Sequence, residues 1–148
     1  LQKLNEIIKK NNNNFLLETK ADILFYYGYT KEAKKFYKKN LKKYPLNYYA
    51  QIRIFENIDI KNLSNSDTEI IFQNNKDLLY KFYNNKNVLL KYFELAQKLN
   101  KNEWLEFFNF FLSINDMEKE VFDIEITNFK STKDSDLLKL VNIIENVN

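Results

Sequence analysis

The sequence contains no cysteine and no histidine among its 148 residues, and only one glycine and one proline. Without Cys and His the chain has no disulfides, no thiolate or imidazole metal ligands, and no Ser–His or Cys–His nucleophilic pair. A P-loop or a dinucleotide-binding loop is also excluded, because both need several glycines to bring backbone amides close to phosphates. We therefore expect no enzyme, no cofactor and no metal. Carboxylate-pair catalysis is the one enzymatic alternative that the composition leaves open.

The shortage of turn-forming residues also bears on the fold class. A sheet protein of this length needs many tight turns, which use Gly, Pro and Asn–Gly pairs, whereas this chain offers only Gly28 and Pro45. Hydrophobic residues make up 45% of the chain, which supports a real core and argues against disorder. We therefore predict an all-α protein of about eight or nine helices, joined by Asn-rich turns in a single domain over residues 1–148.

Apolar residues recur at helical spacing along most of the chain. Residues 117–130 fit a helix or, through alternating apolar positions, a strand. We favour the helix because no second strand is available to pair with it. Ser66 followed by Glu69 predicts a capping box, and Ser135 predicts another helix N-cap. No run of about 18 uncharged apolar residues occurs, so no membrane span is predicted.

A set of residues in the segment 14–47 falls at a characteristic spacing: Leu17, Ala21, Leu24, Gly28, Ala33, Tyr37 and Pro45. Together they resemble a tetratricopeptide repeat, the 34-residue helix–turn–helix unit. Lys20 and Asn40 depart from the family pattern, which usually has Leu and a small residue there. The resemblance implies that two helices cross closely at Ala21 and Ala33. It also implies stacking with degenerate hairpins at 48–83, 88–116 and 117–147 into a short solenoid. The hairpin at 48–83 shows no small contact residue.

The resemblance further implies a binding groove. In this family the first helix of each repeat lines a concave surface that holds partner peptides, and the corresponding residues here are Phe15, Glu18, Asp22, Phe25, Tyr26, Tyr49, Ile52 and Glu56. Chaperone-binding members use Lys and Asn in the groove to clamp a C-terminal carboxylate. This chain has carboxylates there, so a basic or mixed helix or loop suits the groove better. Ordinary solvent-exposed acids are the alternative interpretation of Glu18 and Asp22.

A second predicted partner surface is aromatic and consists of Trp104, Phe107, Phe108 and Phe111. Neighbouring helical residues point about 100° apart, so a run of consecutive aromatic residues cannot face one core. Protein interfaces are enriched in such residues. Deep burial between hairpins is the alternative interpretation of this cluster.

Seven lysines lie between Lys31 and Lys43, and a helix carrying them is able to bind nucleic acid or an anionic membrane surface. The chain has only one Arg, Arg53, although Arg is the residue that most often reads bases and phosphates. The resemblance places the lysine helix on the convex, solvated side, so we interpret these lysines as solubilising. Our hypothesis is a non-catalytic module that binds another protein, or a second copy of itself, through the groove, the aromatic face or both.

The chain begins Leu1-Gln2-Lys3 without an initiator Met, so we expect a piece of a longer protein. If that longer protein carries an export signal or a lipid anchor, we expect it in a bacterial periplasm or cell envelope. Otherwise we expect it in the cytoplasm. The abundance of Asn, Lys, Ile, Phe and Tyr is typical of an AT-rich genome.

Overall fold

The computed structural model describes residues 2, 3, 6, 14–114 and 118–147, except for the side chains of 14–16. The described residues are all-helical without a strand, which confirms the predicted fold class. Nine α-helices are described: α1 (Asn14–Tyr26), α2 (Thr30–Lys43), α3 (Tyr48–Glu56), α4 (Asn65–Asn74), α5 (Lys76–Lys81), α6 (Lys86–Lys98), α7 (Asn102–Leu112), α8 (Lys119–Phe129) and α9 (Ser135–Val147). A short 3-10 helix, Ile60–Asn62, lies between α3 and α4. Residues 119–129, for which helix and strand were both open, form a helix.

The chain divides into two compact units, Leu1–Ile58 (unit 1) and Asp59–Asn148 (unit 2). This division falls inside the predicted hairpin at 48–83, since α3 packs on α2 whereas α4 and α5 belong to unit 2. Helices α6 and α7 pack on each other within the predicted hairpin at 88–116, and α8 packs on α9. The single domain over 1–148 and the solenoid stacking stay predictions.

The α1–α2 hairpin closes at Gly28, as the sequence predicts. Gly28 has φ +86°, in the left-handed region that glycine enters without steric cost. The Tyr29 N–H donates to the Leu24 carbonyl at 2.8 Å, and the Gly28 N–H donates to the Phe25 carbonyl at 3.0 Å. These two bonds form a Schellman motif, which satisfies carbonyls left free at the end of α1. The α6–α7 hairpin closes by the same pair of bonds around Asn100, whose φ is 54°.

Small residues at the helix crossings define the core of unit 1. Ala21 and Ala33 are fully buried in one cluster with Leu24 and Tyr37, in agreement with the predicted repeat positions. Leu17 is also buried. Pro45 lies exposed two residues after the end of α2, where its ring cannot continue the helix. The cluster contains a further fully buried alanine, Ala50 of α3. The prediction that the segment 48–83 has no small contact residue is therefore wrong.

Two helix N-caps lie one or two residues before the serines that the sequence predicts as caps. Helix α4 begins after Ser64, not Ser66, because the Ser64 hydroxyl accepts the Asp67 N–H at 3.0 Å. Helix α9 begins after Asp134, whose Oδ1 accepts the N–H groups of Asp136 and Leu137 at 3.0 and 3.1 Å. In both places the side chain that lies nearest the first unpaired backbone N–H groups accepts their hydrogen bonds. The serines predicted as caps, Ser66 and Ser135, already lie inside the helices.

We expect Ala33→Leu to lower the free energy of unfolding by about 1–3 kcal/mol, because the added carbons overpack the α1–α2 crossing. Lys35→Leu is the matched control, since Lys35 is exposed on the same helix and its replacement changes stability by about 0.5 kcal/mol or less. Urea unfolding followed by circular dichroism at 222 nm measures both. Equal stabilities for the two variants contradict the close crossing.

Candidate functional site

The groove residues of α1 and α3 meet at the carboxylate of Asp22. The buried Tyr37 hydroxyl donates a short hydrogen bond to Asp22 Oδ1. The Tyr49 hydroxyl donates to Asp22 Oδ2 at 2.8 Å. One carboxylate on α1 therefore binds a tyrosine from α2 and a tyrosine from α3, which holds these three helices in register.

The single arginine of the chain completes this network. Arg53 Nε donates to the Tyr49 hydroxyl at 3.1 Å and lies 4.0 Å from Asp22 Oδ1. Its Nη1 donates to Glu56 Oε1 at 2.8 Å, and its guanidinium lies 5.0 Å from the centre of the Tyr49 ring. The guanidinium thus offsets part of the charge of two predicted groove acids. Their side chains are 41% exposed for Asp22 and 13% exposed for Glu56.

A second junction lies at Asn47, the N-cap of α3. Its amide nitrogen donates both to Glu18 Oε1 and to Oδ1 of the fully buried Asn40, the latter at 2.6 Å. Its Oδ1 accepts the Ala50 N–H at 3.4 Å, which caps α3. Asn40 departs from the repeat pattern in being polar, and this contact explains it, because a buried amide needs a partner.

Burial shifts the acid–base behaviour of the tyrosines in the network. It raises the pKa of Tyr37, and the hydrogen bond to Asp22 raises it further because that bond needs the protonated hydroxyl. Burial likewise raises the pKa of Tyr49. Both shifts favour the protonated hydroxyls that donate to Asp22.

The structure places the predicted groove residues in several different environments. Glu18, Asp22 and Glu56 are hydrogen-bonded within unit 1, and Phe25 packs against its core. Tyr26 is 85% exposed and Tyr49 is 40% exposed, whereas Ile52 is half-buried. The Phe15 side chain lies outside the described residues. Arg53 and Asn47 were missed by the sequence analysis, although the spacing of Tyr49, Arg53 and Glu56 at one helical turn signals a shared helix face.

The prediction of an exposed aromatic partner surface is wrong for three of its four residues. Trp104, Phe107 and Phe108 are at most 1% exposed, and Phe111 is half-buried with its ring stacked on Phe107 at 5.8 Å. Rings from three other helices, α4, α6 and α8, cover them, because unit 2 packs on more than one side of α7. Phe72 lies 5.2 Å from Trp104 between ring centres, and the other close ring pairs are Phe107–Phe129 at 5.4 Å and Tyr92–Phe108 at 6.4 Å. The alternative interpretation, deep burial, is correct.

The buried Trp104 has one polar atom, and Asp134 satisfies it. Trp104 Nε1 donates to Asp134 Oδ2 at 2.8 Å, while Oδ1 of the same carboxylate caps α9. Partial burial raises the pKa of Asp134, but the hydrogen bonds from the Leu137 N–H, Trp104 and the Asp136 N–H outweigh it, so the pKa lies below its usual value. Asp134 is thus a structural link between α7 and α9.

The described part of the chain holds no group of three or more His, Cys, Asp or Glu placed to bind a metal ion. A cleft of about 310 Å³ in unit 2 is lined by Glu103, Glu106 and Glu125 beside Phe129. Glu103 accepts a short hydrogen bond from the Thr132 hydroxyl, so this carboxylate holds the α8–α9 connection. None of the described helices combines the length and the apolar character needed to cross a membrane.

Comparison with known proteins found no protein-family model, no curated protein and no solved structure that matches this chain.

We expect Tyr37→Phe to lower the free energy of unfolding by about 1–2 kcal/mol, because it removes a buried hydrogen bond to a charged group. Tyr49→Phe is the matched control. It removes a bond to the same carboxylate at an exposed site and changes stability by about 0.5 kcal/mol or less. Urea unfolding followed by circular dichroism compares the two. A larger loss for Tyr49→Phe means that the exposed bond, and not the buried one, holds the helices.

The lowered pKa of Asp134 predicts a pH-dependent contribution to stability. Its ionised form is favoured in the folded state, so the contribution is present above the unfolded pKa of about 3.9 and is lost as pH falls through the lower folded value. Asp134→Asn removes the ionisation, so the gap in unfolding free energy between the two proteins narrows below about pH 4. Fluorescence of Trp104, the only tryptophan, follows unfolding. A gap that stays constant between pH 7 and 3 contradicts this assignment.

Proposed function

We propose that the protein is a non-catalytic interaction module that binds a protein partner through the α1–α3 face of unit 1. This face is defined by Glu18, Asp22 and Tyr26 of α1 with Tyr49, Ile52, Arg53 and Glu56 of α3. The observation that carries the proposal is the pair of exposed tyrosines, Tyr26 and Tyr49, on a surface whose charged groups are already bound to one another.

The internal hydrogen bonds make this face suited to being covered. Asp22, Arg53 and Glu56 already have partners, so a protein that excludes water from them leaves few groups unpaired. The side chains are also held in place before binding, which lowers the entropy lost on association. Tyrosine and arginine are the residues that most often dominate protein interfaces.

The contacts of Arg53 with Asp22 and Glu56 also affect which kind of partner fits the α1–α3 face. Arg53 lies between Asp22 and Glu56 and offsets part of their charge, so the face carries both signs of charge with an acidic excess. A partner with both signs of charge and an apolar residue for the tyrosine rings suits it better than a purely basic segment. Reversing the charge of Glu18 and Asp22 is a poor test, since both carboxylates join helices and their loss destabilises unit 1.

The test uses the immobilised full chain, extract from the native cells, and a variant carrying Tyr26→Ala with Tyr49→Ala. We expect a retained protein whose affinity, measured with the purified partner, falls at least about tenfold in the variant, because central aromatic residues contribute about 2 kcal/mol or more. The control variant, Lys35→Gln with Lys38→Gln and Lys42→Gln, keeps the partner.

Circular dichroism and thermal unfolding establish that both variants are folded. If the tyrosine variant keeps the partner while the lysine variant loses it, the α1–α3 face is the wrong surface and α2 holds the partner.

A further inference from the structure

The solvent-facing side of α2 carries a straight row of lysines. Lys31, Lys35, Lys38 and Lys42 are all exposed and are spaced four, three and four residues apart. At 100° per residue these positions lie within about 60° of one another around the helix, and at 1.5 Å per residue they extend over about 16 Å. We call these four residues the lysine row. Among the described residues none of the four has an ion-pair partner.

Tyrosine rings lie at the end of α2 where the lysine row begins. Tyr27 and Tyr29 are 69% and 56% exposed, and Tyr29 directly precedes α2, two residues before Lys31. Tyr27 packs edge-to-face with Tyr26 at 5.2 Å between ring centres, and both residues stay mostly exposed. Neither tyrosine is part of the buried core, and large aromatic side chains are costly to leave exposed to water.

The charge of unit 1 favours an anionic partner. Residues 1–58 contain eleven Lys and one Arg against five acidic residues, a formal charge of +7. The one arginine is bound within the α1–α3 face, so lysines alone present the positive charge on α2. Lysine acts on phosphate as a point charge and lacks the rigid planar fork that gives arginine its geometric selectivity. The ligand is therefore recognised by its backbone charge and not by its sequence.

From these features we propose that unit 1 binds single-stranded nucleic acid without sequence preference. The lysine row follows the phosphates, and Tyr27 and Tyr29 stack on unpaired bases. Cationic surfaces combined with aromatic stacking platforms are the usual arrangement for such ligands. This surface adjoins the α1–α3 face where Tyr27 packs on Tyr26, and it does not depend on a protein partner there.

Two other anionic ligands fit the surface less well. A duplex keeps its bases stacked inside, so the tyrosine rings have no base face to contact. An anionic bilayer attracts the lysines, but α2 cannot insert, because its apolar side, with Ala33 and Tyr37, is buried against α1 and α3.

The test measures anisotropy of a labelled oligouridine of about twelve nucleotides with the full chain. Each lysine that neutralises a phosphate of a single strand contributes about −0.7 to the slope of log K against log salt, so the row gives about −2.8. Affinity then falls about 50-fold between 50 and 200 mM salt. Lys35→Gln with Lys38→Gln and Lys42→Gln should make the slope shallower by about 2.

The tyrosines and the lysines have separable signatures. Tyr27→Ala with Tyr29→Ala should weaken binding at least about fivefold and leave the salt slope unchanged, because stacking releases no counterions. Lys61→Gln with Lys86→Gln and Lys133→Gln removes the same charge from exposed sites of unit 2 and should change neither quantity.

The proposal is overturned if the oligouridine does not bind at 50 mM salt, or if an RNA duplex of equal length binds as tightly. It is also overturned if replacing the three lysines of unit 2 changes the salt slope as much as replacing Lys35, Lys38 and Lys42 does. Vesicles containing phosphatidylserine that bind the chain when the oligouridine does not would instead assign the row to a membrane surface.

Discussion

Two helices approach closely only where neither carries a bulky side chain at the crossing, and unit 1 is organised around that constraint. Ala21, Ala33 and Ala50 put one small residue on each of α1, α2 and α3. The close approach also buries Tyr37 and Asn40, whose polar atoms then need partners. Asp22 and Asn47 supply these partners and extend the contact to α3. The polar network of the α1–α3 face is thus a consequence of the packing behind it.

Unit 2 meets the same need for a core in a different way. Its helices surround large rings, and the centre of Phe72 lies 5.2 Å from those of both Tyr92 and Trp104. The polar atoms of these rings find acceptors inside the unit, since Tyr92 donates to the Phe72 carbonyl at 2.8 Å and Trp104 donates to Asp134. Large rings therefore fill most of the space between these helices, with Ala96 as a fully buried small residue on α6.

The two surfaces proposed for unit 1 differ in how their charges are satisfied. On the α1–α3 face the carboxylates and the guanidinium bind one another, so a partner there is held mainly by shape and by tyrosine rings. On the side of α2 that faces away from its buried residues, the lysine row is exposed to water and remains available to an external anion. The first kind of binding depends little on salt and the second depends on it steeply. One helix therefore contributes its buried side to the fold and its exposed side to electrostatic attraction.

The sequence alone determined the helical class, the turn at Gly28 and the buried positions from Leu17 to Tyr37, because these follow from local propensity and from spacing along one helix. It also identified Asp22 and Tyr49 as neighbours, but not the bonds that neutralise Asp22. Only the tertiary structure decided that Trp104, Phe107 and Phe108 are buried, that Asp134 and not Ser135 caps α9, and that Arg53 bridges two carboxylates. The buried rings and the Arg53–Asp22 contact depend on which side chains other helices bring close, and periodicity within one helix carries no information about that. The Asp134 cap is local, but it depends on the residue at which α9 begins.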